Sequence, residues 1–257
     1  MKHILIAVNC LTAVNALAYS SHCSFWHDCA SDFPDFEFHL FAPGRKSIDR
    51  MRNESARILL DNDWDYLMFL DDDVLVPQHC FKMLYEAIGS GSTGVVAGNT
   101  LVRTYPYPPM YFKYTSKTEK EAHLEHYYDY AKISNRVDKD QPITEVDAVG
   151  FSCALIRGDL LREMKAPYFL TGTQNTEDVY FCVKIHNESP GTKLLGHYGV
   201  ITSHLVSQIV EVNSQNVNMM RAFDETFLGC VPEKDRGDRG EEYHDAVLKL
   251  KFKKVSA

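Results

Sequence analysis

Short apolar runs alternate, over the first hundred residues, with longer segments whose apolar positions recur every three or four residues. Ile4 to Val8 is unbroken by polar residues, the pattern of a strand buried on both faces, and a helix is predicted after it through about Ser31. Phe36 to Phe41 reads as a second strand, which Ala42, Pro43 and Gly44 terminate. From Ser47 to about Asn62 a helix fits, with Ile48, Met51, Ser55, Ile58 and Leu59 on one face and Arg50, Arg52, Asn53 and Arg57 largely off it. Tyr66 to Leu70 is a third strand. Pro77 suits the first residue of a helix striped with Phe81, Leu84, Tyr85 and Ile88 and capped by Gly89, and Val95 to Ala97 is a fourth strand. This alternation predicts an α/β fold, a Rossmann-like, mostly parallel sheet with helices on both faces. Such sheets bind ligands beyond the C-terminal strand ends, where Asn9 and Asp71 to Asp73 fall.

The second half has a different texture. Tyr105-Pro106-Tyr107-Pro108-Pro109 precedes a charged, tyrosine-rich stretch from Thr118 to Ile133 that predicts a helix packed by one face on the sheet. Val146 to Arg157 reads as a strand, and Gly150 inside it marks a bulge or a close backbone approach to a ligand. A short helix follows over Gly158 to Met164. Thr176-Glu177-Asp178 opens another helix, and carboxylates in a first turn suit both ordinary capping and an ionised general base. His204 falls in or just after a short apolar strand, Val200 to Val206. From 207 to 257 the chain becomes a helical and charged extension, with a helix over Val217 to Phe227, a charged run from Glu233 to Glu242 and a basic one from Lys249 to Lys254.

Composition narrows the class. A chain of 257 residues, 45% hydrophobic and 24% charged, can bury one substantial core. A net charge of -8 disfavours general binding to phosphate backbones. The seven cysteines include no CxxC pair and several lie in apolar runs, which suits reduced, buried thiols and a cytoplasmic location. Cys23, His27 and Cys29 match no standard zinc spacing. Lys2 with the run after it and Ala16-Leu17-Ala18 imitates a signal peptide, but Asn9 and Asn15 interrupt it, and no stretch reaches the ~20 apolar residues that cross a bilayer. Gly89-Ser90-Gly91-Ser92-Thr93-Gly94 satisfies GxGxxG, yet it leaves a helix and enters a strand, the reverse of a dinucleotide-binding turn.

The sharpest chemical signal is the strand Tyr66 to Leu70 ending in Asp71, Asp72 and Asp73. Three carboxylates cannot follow an apolar strand into a core without partners, so they sit at its end. Extended backbone sends Asp71 and Asp73 to one side and Asp72 to the other, which suits two oxygens converging on one hard divalent ion. As a string D-x-D is unspecific. It recurs at Asp61/Asp63, Asp63/Asp65 and Asp138/Asp140, and only Asp71/Asp73 caps a buried strand.

Joined to MRNESARILLDNDWDYLMFLDDDVLVP, VDAVGFSCALIRGDLL, TEDVYFCVKI and SHL, that strand end resembles the GT-A glycosyltransferases, especially family-2-like enzymes of bacterial and phage type, over roughly Lys2 to Val206. The resemblance implies a single GT-A domain over 1–206, its donor half about 1–100 and its acceptor half about 101–206. It implies transfer of a sugar from a nucleotide-diphosphate sugar, UDP by default, to an acceptor hydroxyl with Mn²⁺ or Mg²⁺ as cofactor. Residue by residue, it places Asp71, Asp73 and His204 at the metal, and Asn9, Arg52, Asp71 and Asp72 at the nucleotide sugar. Gly150, Phe151 and Glu177 fall beside the acceptor, with Asp178 as the general base of an inverting reaction. The segment FAPGRK stands where such enzymes often carry an acidic residue that reads the base, which leaves GDP or another nucleotide open. The acceptor is open among a glycan, a lipid-linked sugar, a protein and a modified nucleobase in DNA. Two other classes use an acidic strand end. A sugar nucleotidyltransferase would add a Gly- and Lys-rich phosphate loop, absent here, and a carbohydrate- or Ca²⁺-binding module would need neither TED nor His204.

Overall fold

A computed structural model of the chain describes residues 1–10, 13–103, 107–117, 122–127, 142–172, 176–205 and 211–212. The central sheet is built from β1 (Lys2–Asn9), β2 (Phe36–Phe41), β3 (Tyr66–Asp71), β5 (Thr93–Asn99), β8 (Ile143–Val146), β10 (Cys153–Arg157) and β11 (Lys193–Ile201). Its seven strands run in the order β2-β1-β3-β10-β5-β11-β8. All are parallel except β10, wedged antiparallel between β3 and β5, and β8 at the edge. The sheet is therefore mostly parallel, as the alternation of elements predicts.

Two-residue periodicity sorts the core onto the two faces. Ile4, Ile6 and Val8 of β1 and Tyr66, Met68 and Leu70 of β3 face α1 (Ala16–Asp32) and α3 (Cys80–Ile88). Leu5, Ala7, Leu67 and Phe69 face the side covered by α2 (Ile48–Asp61), α4 (Gly158–Glu163) and α5 (Glu177–Glu188). The stretch that imitates a signal peptide is thus the buried strand β1 and the start of α1. Asn15 caps α1 by accepting from the Leu17 amide at 2.8 Å. Among the described residues no helix is long and apolar enough to cross a membrane, and no disulfide joins the described cysteines.

Several sequence expectations change. The helix after Asp73 begins at Cys80, not Pro77, because Val74–Leu75 forms strand β4 and His79 caps the helix in a left-handed conformation (φ 54°). The run Val146 to Arg157 is not one strand. Its residues divide among β8, β9 (Ala148–Val149) and β10, which lie in two different sheets. Part of the expected helix from 118 to 133 is strand: β6 (Tyr111–Lys117) pairs antiparallel with β7 (Ala122–His126) and with β9. The rest of that stretch, and the helix expected over 217–227, lie outside the described residues. A third sheet, β13-β12-β4, joins Ser203–Leu205 (β12) to Val74–Leu75 and to Glu211–Val212 (β13).

Candidate active site

The C-terminal edge of the central sheet collects polar residues at the ends of apolar strands. Asn9 and Asp71 are register partners where β1 and β3 finish. The Asp71 amide donates to the Ser152 carbonyl at 2.9 Å, which ties the end of β3 to the turn that enters β10. Asn99 closes β5. A chain of buried hydroxyls runs alongside, from Ser152 Oγ to Thr100 Oγ1 at 2.9 Å and from Thr100 to Thr202 at 2.7 Å. Thr202 Oγ1 in turn reaches the Asn99 carbonyl at 3.1 Å.

The small third sheet sets the geometry of the acidic stretch. Because β12 pairs with β4, His204 lies opposite Val74, and the Leu205 amide donates to the Asp73 carbonyl at 2.9 Å. His204 Nε2 is then 3.5 Å from Asp73 Oδ1. The other ring nitrogen, Nδ1, is 2.9 Å from the Leu101 carbonyl. A carbonyl only accepts, so Nδ1 carries a proton, and in the neutral ring Nε2 presents its lone pair to Asp73. That is the arrangement in which a second hydrogen bond orients a metal-ligating histidine. Two atoms 3.5 Å apart can both lie ~2.1 Å from one shared ion. Burial pushes the Asp73 carboxyl up, but when the ring is instead protonated on both nitrogens it donates to Asp73, and that hydrogen bond and charge, with the Arg103 charge, outweigh burial, so the net shift is down. Arg103 Nη1 donates to Asp73 Oδ2 at 2.8 Å from a half-exposed side chain.

Asp71 is held differently. Its Oδ1 is buried without a hydrogen-bond partner, 3.5 Å from Arg52 Nη2. Burial pushes its pKa up to about 6 against the pull of Arg52, with Asp73 adding to the rise. The Asn9 side chain, 3% exposed, likewise leaves both amide atoms unpartnered, as does that of Asn99. Buried polar atoms without partners are uncommon in folded proteins. Here three such side chains gather at one sheet edge, as in a site built for a polar, charged ligand. A divalent cation fits between Asp73 and His204, which face one another 3.5 Å apart. Asp71 lies at the same edge with an oxygen turned to Arg52, and it does not form a three-ligand cluster with them in this structure.

Arg52 is the hub behind this edge. Sequence periodicity puts Arg52 and Asn53 off the apolar face of α2, but both point inward. Asn53 holds the backbone of Tyr168 and Phe169. Arg52, 2% exposed, donates to Glu177 Oε1 and to the Phe151 carbonyl at 2.9 Å each, and lies over the Phe69 ring at 4.8 Å. It links α2, β3, the turn before β10 and the start of α5. The covered guanidinium positions Asp71 and Glu177 and is itself screened from solvent. Glu177 is 6% exposed, its carboxylate is engaged by Arg52, and burial pushes its pKa up. Asp178 follows at the same helix start. Its Oδ1 accepts from the Val179 amide at 2.8 Å and from the Thr176 hydroxyl.

The other expected contacts fall as follows. The Asp72 carbonyl accepts from the Asn15 amide at 3.3 Å beside α1, and its charge acts on His22 of that helix. Gly150 makes a close approach, but to protein: an added Cβ would lie 2.4 Å from Met110 Cε. The Phe151 ring is fully buried against Phe69, Phe169 and Phe181, so it offers no surface to an acceptor, and what it contributes here is its carbonyl. Arg103, Ser152, Thr100, Thr202 and Asn99 were not foreseen. The available signal was a polar residue directly after an apolar strand, as in Asn99-Thr100.

No protein-family model matches the sequence, and no curated protein matches it either. Solved structures do match. A197 from STIV is 17% identical with a TM-score of 0.54, covering 83% of this chain and 91% of its own. GalNAc-T7, solved with UDP, GalNAc and Mn²⁺, is 14% identical with a TM-score of 0.50, covering 79% of this chain and 43% of its own. The fold is of the GT-A type. A glycosyltransferase involved in glycosylation of the major capsid of PBCV-1 also matches, at 11% identity and a TM-score of 0.36 over 76% of this chain and 80% of its own. The GT-A-type sheet carries its acidic strand end at the C-terminal edge, on β3.

Proposed function

We propose that the protein is a metal-dependent glycosyltransferase that moves a sugar from a nucleotide-diphosphate sugar, a UDP-sugar by default, to an acceptor hydroxyl. The observation that carries this reading is the Asp73–His204 pair, with His204 Nδ1 committed to the Leu101 carbonyl and Nε2 turned toward the carboxylate. In it, Asp73, His204 and Asp71 hold Mn²⁺ or Mg²⁺, which when bound neutralises charge developing on the departing diphosphate. An imidazole among carboxylates favours Mn²⁺ over Mg²⁺. Asn9, with an unpartnered amide beside Asp71, and Asp72, beside α1, contact the nucleotide. Arg52 keeps Asp71 and Glu177 in place. Asp178 takes the proton from the acceptor hydroxyl as it attacks, which implies inversion at the anomeric carbon. Glu177 and the turn at Gly150 shape the floor behind the acceptor.

The test is hydrolysis and transfer from a panel of nucleotide sugars with Mn²⁺ or Mg²⁺. Turnover with one donor, lost on chelation and in Asp73→Ala, supports the reading. Absence of both donor binding and hydrolysis across the panel removes it. Asp178→Asn separates the roles: donor binding persists and transfer falls by on the order of 100-fold or more. Unchanged turnover removes Asp178 as the base.

A further inference from the structure

A second cluster of metal-ligating side chains lies at the other end of β1. His3 sits beside Glu37 in the parallel β1–β2 register, and His39 is two residues along β2 on the same face. The face is the one that Leu5 presents to α2. His3 is six residues from Asn9, about 20 Å along an extended strand, so the cluster is remote from the acidic strand end. His3 Nδ1 is 3.3 Å from His39 Nε2 and 3.3 Å from Glu37 Oε2, and one ligand atom from each residue falls within 4.8 Å of the others.

From these distances we infer a transition-metal site, a Zn²⁺ site held by His3 Nδ1, His39 Nε2 and Glu37, with solvent completing the shell. Ligand atoms bound at ~2.0–2.1 Å around a tetrahedral ion are ~3.3 Å apart, which is the separation of the two imidazole nitrogens and of His3 Nδ1 from Glu37 Oε2, while His39 Nε2 is 3.9 Å from the other Glu37 oxygen. Two imidazoles and a carboxylate suit Zn²⁺ far better than Mg²⁺ or Ca²⁺. The ligands are also held in place. The His39 ring stacks on Trp64 at 3.9 Å with 8° between planes. The His3 backbone is clamped by Asp65, whose Oδ2 accepts from the His3 amide at 2.7 Å and whose own amide donates to the His3 carbonyl at 2.9 Å. Glu37 is half exposed, which leaves the cluster open to entry of an ion. The bound ion pins β2, the edge strand of the central sheet, to β1.

The experiment titrates chelator-treated full-length protein with Zn²⁺ in excess Mg²⁺, reads melting temperature and stoichiometry, and repeats the titration with Co²⁺ in visible absorption. In Asp73→Ala, which removes the other nitrogen- and oxygen-lined site, one Zn²⁺ per chain is still expected to bind, with a rise in melting temperature and a Co²⁺ spectrum of nitrogen and oxygen ligation without thiolate charge-transfer bands. Glu37→Gln, at an exposed position that cannot unfold the sheet, weakens Zn²⁺ binding at least about tenfold, since even outer-shell losses cost that much. His39→Gln does the same, each variant being compared in the Asp73→Ala background. An Asp73→Ala melting temperature indifferent to Zn²⁺, equal affinity with and without Glu37→Gln in that background, thiolate bands, or loss of binding in Asp73→Ala would each overturn the assignment.

Discussion

Asp71 shows how one carboxylate can serve a site at a cost to the fold. Its folded pKa of about 6 lies above the ~3.9 of an unfolded aspartate, because burial outweighs Arg52. The sign follows: the folded state binds this proton more tightly, so the Asp71 contribution to stability is fully present below pH ~4 and is lost as pH rises through about 6. In chelator-treated protein, Asp71→Asn should therefore raise the melting temperature at pH 7, by about 1–3 kcal/mol of stability at ~1.4 kcal/mol per pH unit, and do nothing at pH 3.5. Thermal melts of both proteins across pH check this, and an Asp71→Asn protein less stable at pH 7 contradicts it. Arg52 is the opposite case. Arg52→Met strands Glu177 as a buried, unpaired charge and should destabilise by about 3–5 kcal/mol, measured by urea unfolding. Gly150 differs again: a glycine inside an apolar run marks a close approach without saying what fills the space, and here Met110 does.

At the level of elements, the strands buried on both faces were legible because their signal is intrinsic to the segment. Ile4 to Val8, Tyr66 to Leu70 and Val95 to Ala97 have no polar position to spare, and β1, β3 and β5 contain them. The elements that build the site were less so. β4 is two residues long and β12 three, too short for any periodicity, and their pairing is a tertiary fact. Without it, Asp73 and His204, 131 residues apart by number, have no stated relation. The β7 arm of the hairpin falls in a stretch that reads as a helix, because tyrosines and charges suit a helix face as well as a strand. The strand β12 is further anchored by the Thr100–Thr202 hydroxyl contact. Thr202→Val leaves Thr100 short of a buried partner and should cost about 1–3 kcal/mol, with weaker Mn²⁺ binding because His204 lies two residues on. Denaturant melts and Mn²⁺ titration check both effects. Unchanged stability would remove that anchor.

Across the whole molecule, the two ends of the sheet have different chemistry. One end gathers Asn9, Asp71, Asp73, Asn99 and His204, with polar atoms left unpartnered inside the protein. The opposite end holds the glycine-rich turn after α3, which Arg157 ties down through the Gly91 carbonyl at 2.6 Å, and the His3–Glu37–His39 cluster. The literal GxGxxG lies at the wrong sheet edge for a ligand of the strand C-termini, as its order in the sequence indicates. Fold class was readable from alternation alone, whereas the wedge of β10, antiparallel between β3 and β5, was not. That wedge delivers Ser152 to the Asp71 amide.

On the proposed function, Asp73 and His204 hold a divalent cation that in turn holds a nucleoside diphosphate. Calorimetric titration of wild type and Asp73→Ala with UDP, GDP, ADP, CDP and TDP, each with Mn²⁺ and with chelator, tests it most directly. One diphosphate is expected to bind wild type only with Mn²⁺, and Asp73→Ala to lose this binding while keeping the wild-type circular dichroism spectrum. Diphosphate binding that is indifferent to Mn²⁺, or equal in the two proteins, would contradict it.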